Sequence, residues 1–165
     1  MRLIDPILAE LDQESQTTRR VLERVPEDKL TWKPHPKSMS LGQLALHLAT
    51  APGMIATIAS QDRVEAPSFE QPEAKSRAEI LDAFTKGVAT AKDLLNKIDD
   101  ARATATWTLT RNGEVLMAVP RLAMIRAILL NHSYHHRGQL SVYLRLLNVP
   151  VPSIYGPSAD ENPFG

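Results

Sequence analysis

The sequence predicts an all-α protein whose long helices form one bundle. Apolar residues recur at helical spacing in four stretches, near residues 3–25, 40–59, 76–98 and 120–147. Two of these stretches open with a serine-led capping box, and prolines interrupt the chain between them. With 165 residues, of which 43% are hydrophobic, the chain is long enough for one sizeable core, so we expect a single domain over residues 1–165.

The first helix is amphipathic, with apolar positions such as Ile7, Leu11 and Val21 among many charged residues. Pro26 begins a proline-containing connection that a helix cannot continue through. His35 lies in that connection between two prolines. We therefore expect His35 to be a surface residue and not a ligand.

The second helix has a clear start signal. Ser40 and Gln43 stand at the N-cap and N3 positions of a capping box, directly before an apolar periodic run. His47 follows beside that run and can face the bundle interior. A lone histidine there is usually an ordinary core residue, but it becomes a candidate third ligand if a histidine pair elsewhere lacks one. Pro52 is expected to kink or end the helix.

A surface loop is expected over residues 61–75, before the third helix opens with a capping box at Ser76 and Glu79. After that helix, residues 104–119 change character, because apolar residues there alternate with threonines around Asn112–Gly113. This pattern is typical of a short hairpin with a tight turn, packed on the helices. The all-α bundle is therefore expected to carry one short extended excursion before its last long helix.

The last helix carries three of the five histidines, and Pro120 suits its first turn. At 100° per residue, His132 and His136 lie near the middle of the apolar stripe and His135 lies toward its edge. The spacing i,i+4 is used where one helix presents two histidines to one metal ion. His132 with His135 is the alternative pair, since i,i+3 ligand pairs also occur. Gly138 predicts close approach of a neighbouring helix.

A metal site on this helix needs a third ligand from elsewhere in the chain. Three neutral imidazoles leave an open position on a divalent ion, which is typical of catalytic sites. Imidazole suits zinc, nickel, iron and copper alike. The residues predicted to hydrogen-bond the imidazoles or the open-site ligand are Gln139, His135, Tyr143, Asn131 and Tyr134. Arg137 points away from the stripe and is expected to pair with a neighbouring segment or the tail.

Composition limits the classes of function. Lysine plus arginine and aspartate plus glutamate number 19 each, so nothing attracts the protein to nucleic acid or anionic lipid. The chain has no cysteine, which excludes disulfides, thiolate ligands and a cysteine nucleophile, so thiol chemistry would need an external thiol. We find no membrane-spanning apolar segment and no signal-peptide pattern, and expect a soluble, cytoplasmic protein.

Three stretches, residues 34–48, 131–140 and 151–161, together resemble the DinB-like (YfiT-like) family of metalloenzymes. The resemblance spans the whole chain. It implies an up-down-down-up four-helix bundle, usually a homodimer, with one metal ion held by a histidine of the second helix and a pair in the last long helix. On this sequence those positions are His47, His132 and His136.

The resemblance also indicates a range of activities, since characterised relatives include transferases and isomerases that use low-molecular-weight thiols and many members have no known reaction. The favoured hypothesis is a metal-dependent enzyme, of thiol-dependent S-transferase or hydrolase type, acting on a small molecule. Zinc or nickel is the favoured metal, with iron, manganese or copper as alternatives. A non-catalytic metal-binding stress-response module is the second hypothesis. A bundle whose histidines are only core polar groups is the third.

Overall fold

A computed structural model of the chain describes residues 1–66, 68 and 70–165, so that Pro67 of the predicted loop lies outside the described residues. The described part is mostly helical and carries a small three-stranded sheet. The all-α prediction is therefore right for the greater part of the chain. It is incomplete where the predicted excursion takes part in a sheet.

The long helices lie close to their predicted bounds. They are α1 (Asp5–Leu22), α2 (Leu41–Ala59), α3 (Arg77–Asn96) and a C-terminal helix made of α5 (Arg121–Met124), a π-helical segment (Ile125–Asn131) and α6 (His132–Leu146). The predictions did not include the short α4 (Asp100–Thr104), the one-turn helix Glu27–Lys29 or the π-helical segment. Pro120 caps the C-terminal helix with extended ψ and does not occupy its first turn as predicted.

The capping boxes differ in how completely they form. At the start of α2, the backbone N–H of Gln43 donates to Ser40 Oγ at 3.0 Å, and the backbone N–H of Ser40 donates to Gln43 Oε1 at 2.9 Å. At the start of α3, Ser76 Oγ accepts from the backbone of Glu79 at 3.1 Å, but the Glu79 carboxylate accepts from Lys75 instead of Ser76. The first box is confirmed, and the second is confirmed in its serine half only.

The sheet has the order β1 (Arg63–Glu65), β2 (Thr106–Arg111) and β3 (Glu114–Pro120). Strands β2 and β3 form the predicted hairpin. Its turn residues Asn112 and Gly113 have φ of 52° and 84°, as a tight hairpin turn requires. Strand β1 pairs in parallel with β2 and lies inside the segment that was predicted to be a loop. That part of the loop prediction is wrong, because the pairing partner is distant in sequence.

Helix α2 runs without a break through Pro52, so the proline does not end it. The expectation that no segment reaches membrane-spanning length is also wrong for α2. Its 19 residues include no acidic or basic side chain apart from one histidine, but most of the helix is buried inside the protein. Core helices of soluble proteins share this composition, since a helix apolar on all sides is suited to burial.

Glycine positions show which helices approach closely. A Cβ on Gly53 of α2 would lie 3.0 Å from the Cα of Gly87 in α3, so these two backbones are in contact. The close approach predicted at Gly138 is absent, because no described atom lies within 4 Å of a Cβ built there.

The apolar core has two parts along the bundle. One contains Ile55 of α2, Trp107 of β2 and Leu129 of the π-helical segment, and the other contains Leu44 of α2 and Leu140 of α6. In the C-terminal helix, His132 and His136 lie between Leu130 of the first part and Leu140 of the second; in α2, His47 lies among residues of the second part, one turn before Ala51 of the first. The site is therefore placed where the two parts meet.

The tail after α6 folds back onto its own chain. Arg137 is 1% exposed and forms an ion pair of 2.7 Å with Glu14 of α1, which is 12% exposed. The Arg137 guanidinium also donates to the Tyr155 hydroxyl, and that hydroxyl donates to Glu14 at 2.9 Å. The predicted role of Arg137 as a partner for a neighbouring segment or the tail is confirmed for both. A buried arginine needs such partners, because an unpaired charge in the interior is costly.

Candidate metal centre

Three imidazoles converge between α2 and α6. His47 projects from the middle of α2, and His132 and His136 are one turn apart on α6. The Nε2 atom of His132 lies 2.9 Å from Nε2 of His136 and 3.3 Å from Nε2 of His47. Each residue offers a ligand atom, and these atoms all lie within 4.8 Å of one another. The structure therefore brings together the three histidines that the resemblance implies as ligands.

Burial keeps these imidazoles neutral. Burial first, and then the neighbouring His136, His47 and His135, together lower the pKa of His132 from 6.5 to about 4. The pKa of His47 is lowered by burial and by His136. The pKa of His136 is lowered by burial, against an opposing contribution from its hydrogen bond with Gln139. Near pH 7 each ring therefore keeps one nitrogen lone pair available to a ligand.

The arrangement fits a divalent cation better than it fits hydrogen bonding among the rings. A neutral imidazole has a single N–H, so three nitrogens that face one another cannot all find a donor. The Nδ1 atom of His132 is buried and has no hydrogen-bond partner among the described residues. With a cation on Nε2, the N–H of this ring would stand on Nδ1, so the missing partner is a cost that the site bears. A cation shared by the three Nε2 atoms would use all three converging lone pairs.

Gln139 orients one of the rings. Its Oε1 lies 2.7 Å from Nδ1 of His136, so the Nδ1–H of that ring donates to Gln139 and the Nε2 lone pair points to the other imidazoles. Outer hydrogen bonds of this kind fix the tautomer and orientation of metal-binding histidines. The predicted contact between Gln139 and an imidazole is therefore present.

An apolar pocket of about 480 Å³ begins at the three imidazoles. Its other walls come from α2, the C-terminal helix and the hairpin, and include Trp107, Leu109 and Ile58. The Trp107 indole N–H donates to the carbonyl of Ile58 at 3.2 Å, which fixes the ring in the wall. A concave, mostly apolar pocket with a few converging polar groups is the usual form of a small-molecule site.

These features agree with comparisons against known proteins. The model of the DinB family matches residues 3–162. The chain belongs to the DinB family. The uncharacterised protein YrdA of Bacillus subtilis is 27% identical over 163 residues, which cover 96% of this chain and 91% of YrdA.

Two solved structures share the DinB fold with this chain. A DinB-like protein of Bacillus cereus is 23% identical with a TM-score of 0.71, over 90% of this chain and 95% of the other. The DinB-like protein YjoA of Bacillus subtilis is 17% identical with a TM-score of 0.66, over 88% of this chain and 96% of YjoA. At these identities the likeness establishes the fold alone.

The other residues predicted to hydrogen-bond the imidazoles or the open-site ligand form no hydrogen bond with the three histidines among the described residues. His135 is exposed, although its ring centroid is 4.8 Å from that of His136. The Tyr143 hydroxyl donates to the carbonyl of Met39 at 3.3 Å, and the Tyr134 hydroxyl donates to Glu10 at 2.6 Å. Asn131 is exposed. The predicted contacts of Tyr143, Tyr134 and Asn131 with the site are therefore not formed, because the first two hydroxyls have other partners and the third side chain faces solvent.

His35 is exposed in the connection before α2, as expected, and its Nδ1 accepts from the backbone of Lys37 at 3.1 Å. It takes no part in the histidine group.

Sequence reasoning missed the part that the hairpin plays in the site. Along β2, alternation places Trp107, Leu109 and Arg111 on one face, and all three line the pocket. The alternation was visible in the sequence, but the strand's position relative to the histidines was not.

Proposed function

We propose that His47, His132 and His136 hold one divalent cation through their Nε2 atoms. The convergence of these atoms at distances of 2.9 and 3.3 Å, in the wall of an apolar pocket, is the observation that carries the proposal. Zinc or nickel is the favoured metal, with iron, manganese or copper as alternatives, since imidazole alone does not select among them.

The proposed activity is that of a metal-dependent enzyme of thiol-dependent S-transferase or hydrolase type. A bound divalent metal would supply Lewis-acid chemistry toward a thiol, a water or a carbonyl oxygen. The chain's own contribution is threefold: neutral imidazoles, a His136 ring fixed by Gln139, and a pocket that holds an apolar substrate away from water. Because the chain has no cysteine, a thiol cosubstrate would be an external low-molecular-weight thiol.

We also propose that the four long helices adopt the up-down-down-up order implied by the resemblance, in a cytoplasmic protein of one domain. The presence of four long helices is compatible with this order, and the burial of α2 supports a soluble protein.

Metal content of purified variants tests the ligand set. His47→Ala, His132→Ala and His136→Ala should each empty the site, whereas His135→Ala, the matched control on the same helix, should keep most of the metal. Gln139→Ala should bind metal about 10 to 100 times more weakly, the usual effect of removing an outer hydrogen bond from a ligand. Stoichiometric metal in His132→Ala, or an empty site only in His135→Ala, would overturn the assignment.

Turnover then decides between the two metal-binding hypotheses. The protein is assayed with a thiol and an electrophile, and with ester substrates, with and without chelator. Turnover that chelator abolishes and metal restores supports an enzyme. Stoichiometric metal without turnover would instead support a non-catalytic metal-binding module. A protein that binds no metal would leave the histidines as core polar groups.

A further inference from the structure

The pocket beside the histidines has an unusual wall. Of the five methionines in the chain, four line it: Met39, Met54, Met117 and Met124. Methionine side chains are unbranched and polarisable, and they adapt to ligands of different shape. A wall of this kind can bind the apolar part of a ligand and can adapt to ligands of different shape.

Within the described part of the chain, Arg111 is the one charged side chain that lines the pocket, since the histidines are neutral. Leu109 of β2 pairs with Met117 of β3 across the hairpin, and Arg111 follows two residues after Leu109 on the same face. Arg111 is exposed, whereas His136 in the same pocket wall is 9% exposed. The guanidinium is therefore open to solvent, and the His136 imidazole is shielded from it.

Among the described residues, none accepts a hydrogen bond or forms an ion pair with the Arg111 side chain. The Glu65 carboxylate makes its hydrogen bonds elsewhere, since it accepts from the Thr110 hydroxyl at 2.7 Å and from the backbone N–H of Asn112. These bonds lower the pKa of Glu65, and the charge of Arg111 adds a smaller contribution. Arginine is suited to carboxylates, phosphates and other oxyanions because its donors form a rigid fork that can reach two oxygens.

We infer that the pocket binds a small molecule with an apolar body and one anionic group, which Arg111 holds at the mouth. The inference rests on the proposed function in that it names the substrate class of the same site. The ligand lies with its anion toward solvent and its apolar part toward His132 and His136. Arg111 is a binding residue here and takes no part in the chemistry.

A matched pair of fluorescent probes tests this inference on the full-length protein as purified. Anilinonaphthalenesulfonate and phenylnaphthylamine share their rings and differ in the sulfonate. Arg111→Met should weaken binding of the sulfonate probe about two- to five-fold, the size expected for a solvent-exposed ion pair, and leave the neutral probe unchanged. Arg111→Lys should retain most of the preference. Arg63→Met, on the neighbouring strand but outside the pocket wall, is the control and should change neither probe.

A pocket-filling variant shows where the probes bind. Met117→Trp should weaken both probes, with circular dichroism confirming the fold. An unchanged ratio of the two affinities in Arg111→Met, or unchanged binding of both probes in Met117→Trp, would overturn the inference. Repeating the titrations with chelator separates this result from the metal proposal: a preference for the sulfonate that survives chelation supports the role of Arg111 even if no metal is found.

Discussion

The crossing of α2 and α3 leads to a stability prediction that can be worked out from the backbone. A Cβ on Gly87 would lie 2.9 Å from the carbonyl oxygen of Ala49 and 3.6 Å from the backbone nitrogen of Gly53. Real Cβ atoms essentially never approach an atom to within 3.0 Å, and a helix carbonyl cannot turn aside as the end of a side chain can. Gly87→Ala must therefore push the two helices apart.

The size of the effect follows from two opposing contributions. Alanine is better than glycine inside a helix by about 1 kcal/mol. Overpacking of a close contact costs about 1 to 3 kcal/mol, and the backbone clash places this site toward the upper end. The free energy of unfolding should therefore fall by about 1 to 2 kcal/mol. For a chain of 165 residues this corresponds to a fall in Tm of about 2 to 8 °C.

Gly138→Ala is the matched control, because it is the same substitution in a helix where nothing lies within 4 Å of the new Cβ. It should raise the free energy of unfolding by up to about 1 kcal/mol, since only helix propensity changes. Urea unfolding followed by circular dichroism measures both variants. If Gly87→Ala were as stable as Gly138→Ala, the close crossing and the reasoning drawn from it would be refuted.

Two further predictions concern acid stability and assembly. In metal-free protein, His132 of the unfolded chain binds a proton below pH 6.5, whereas His132 of the folded chain does so only near pH 4. The free energy of unfolding should therefore fall as the pH is lowered from 6.5 to 4, by about 1 to 3 kcal/mol for a partly exposed ring. It should change no further below pH 4. Urea titrations of wild type and His132→Ala check this, and equal pH dependence of the two would contradict it. We also predict a homodimer, from the resemblance and from the apolar tail residues Ile154 and Tyr155. The resemblance now carries this prediction alone, since Ile154 packs against its own chain's core and the Tyr155 hydroxyl donates to Glu14. Light scattering that shows a monomer at micromolar concentration would count against a dimer.

Much of the helical framework was predictable from the sequence because its signals are local. Ser40 and Gln43 satisfy each other's backbone groups within one turn, so the start of α2 is encoded in four residues. Asn112 and Gly113 likewise specify the hairpin turn, because both tolerate positive φ. Such features depend little on what the rest of the chain does.

The features that were missed depend on contacts between distant residues. Val64 of β1 pairs with Leu109 of β2, and nothing near Val64 in the sequence specifies that partner. The cost of a glycine inside a helix predicts a close approach at Gly138, but the close approach is at Gly87, because glycine alone does not say whether a neighbour is near. The π-helical segment also changes the phase of the helical wheel before His132, so residues on either side of it cannot be placed on one regular stripe.

The histidine site shows the same division between local and distant information. His132 and His136 both lie in α6, where the helix is regular, so the i,i+4 spacing brings their rings together. His47 comes from another helix, and the local pattern left it as an ordinary core histidine; the family resemblance supplied its role. Burial of the resulting cluster lowers the pKa of each ring, and a buried nitrogen of His132 has no partner among the described residues. Polar groups buried among apolar residues are expected at functional sites, although they lower the free energy of unfolding. A cation that binds only the folded state would raise it again by mass action.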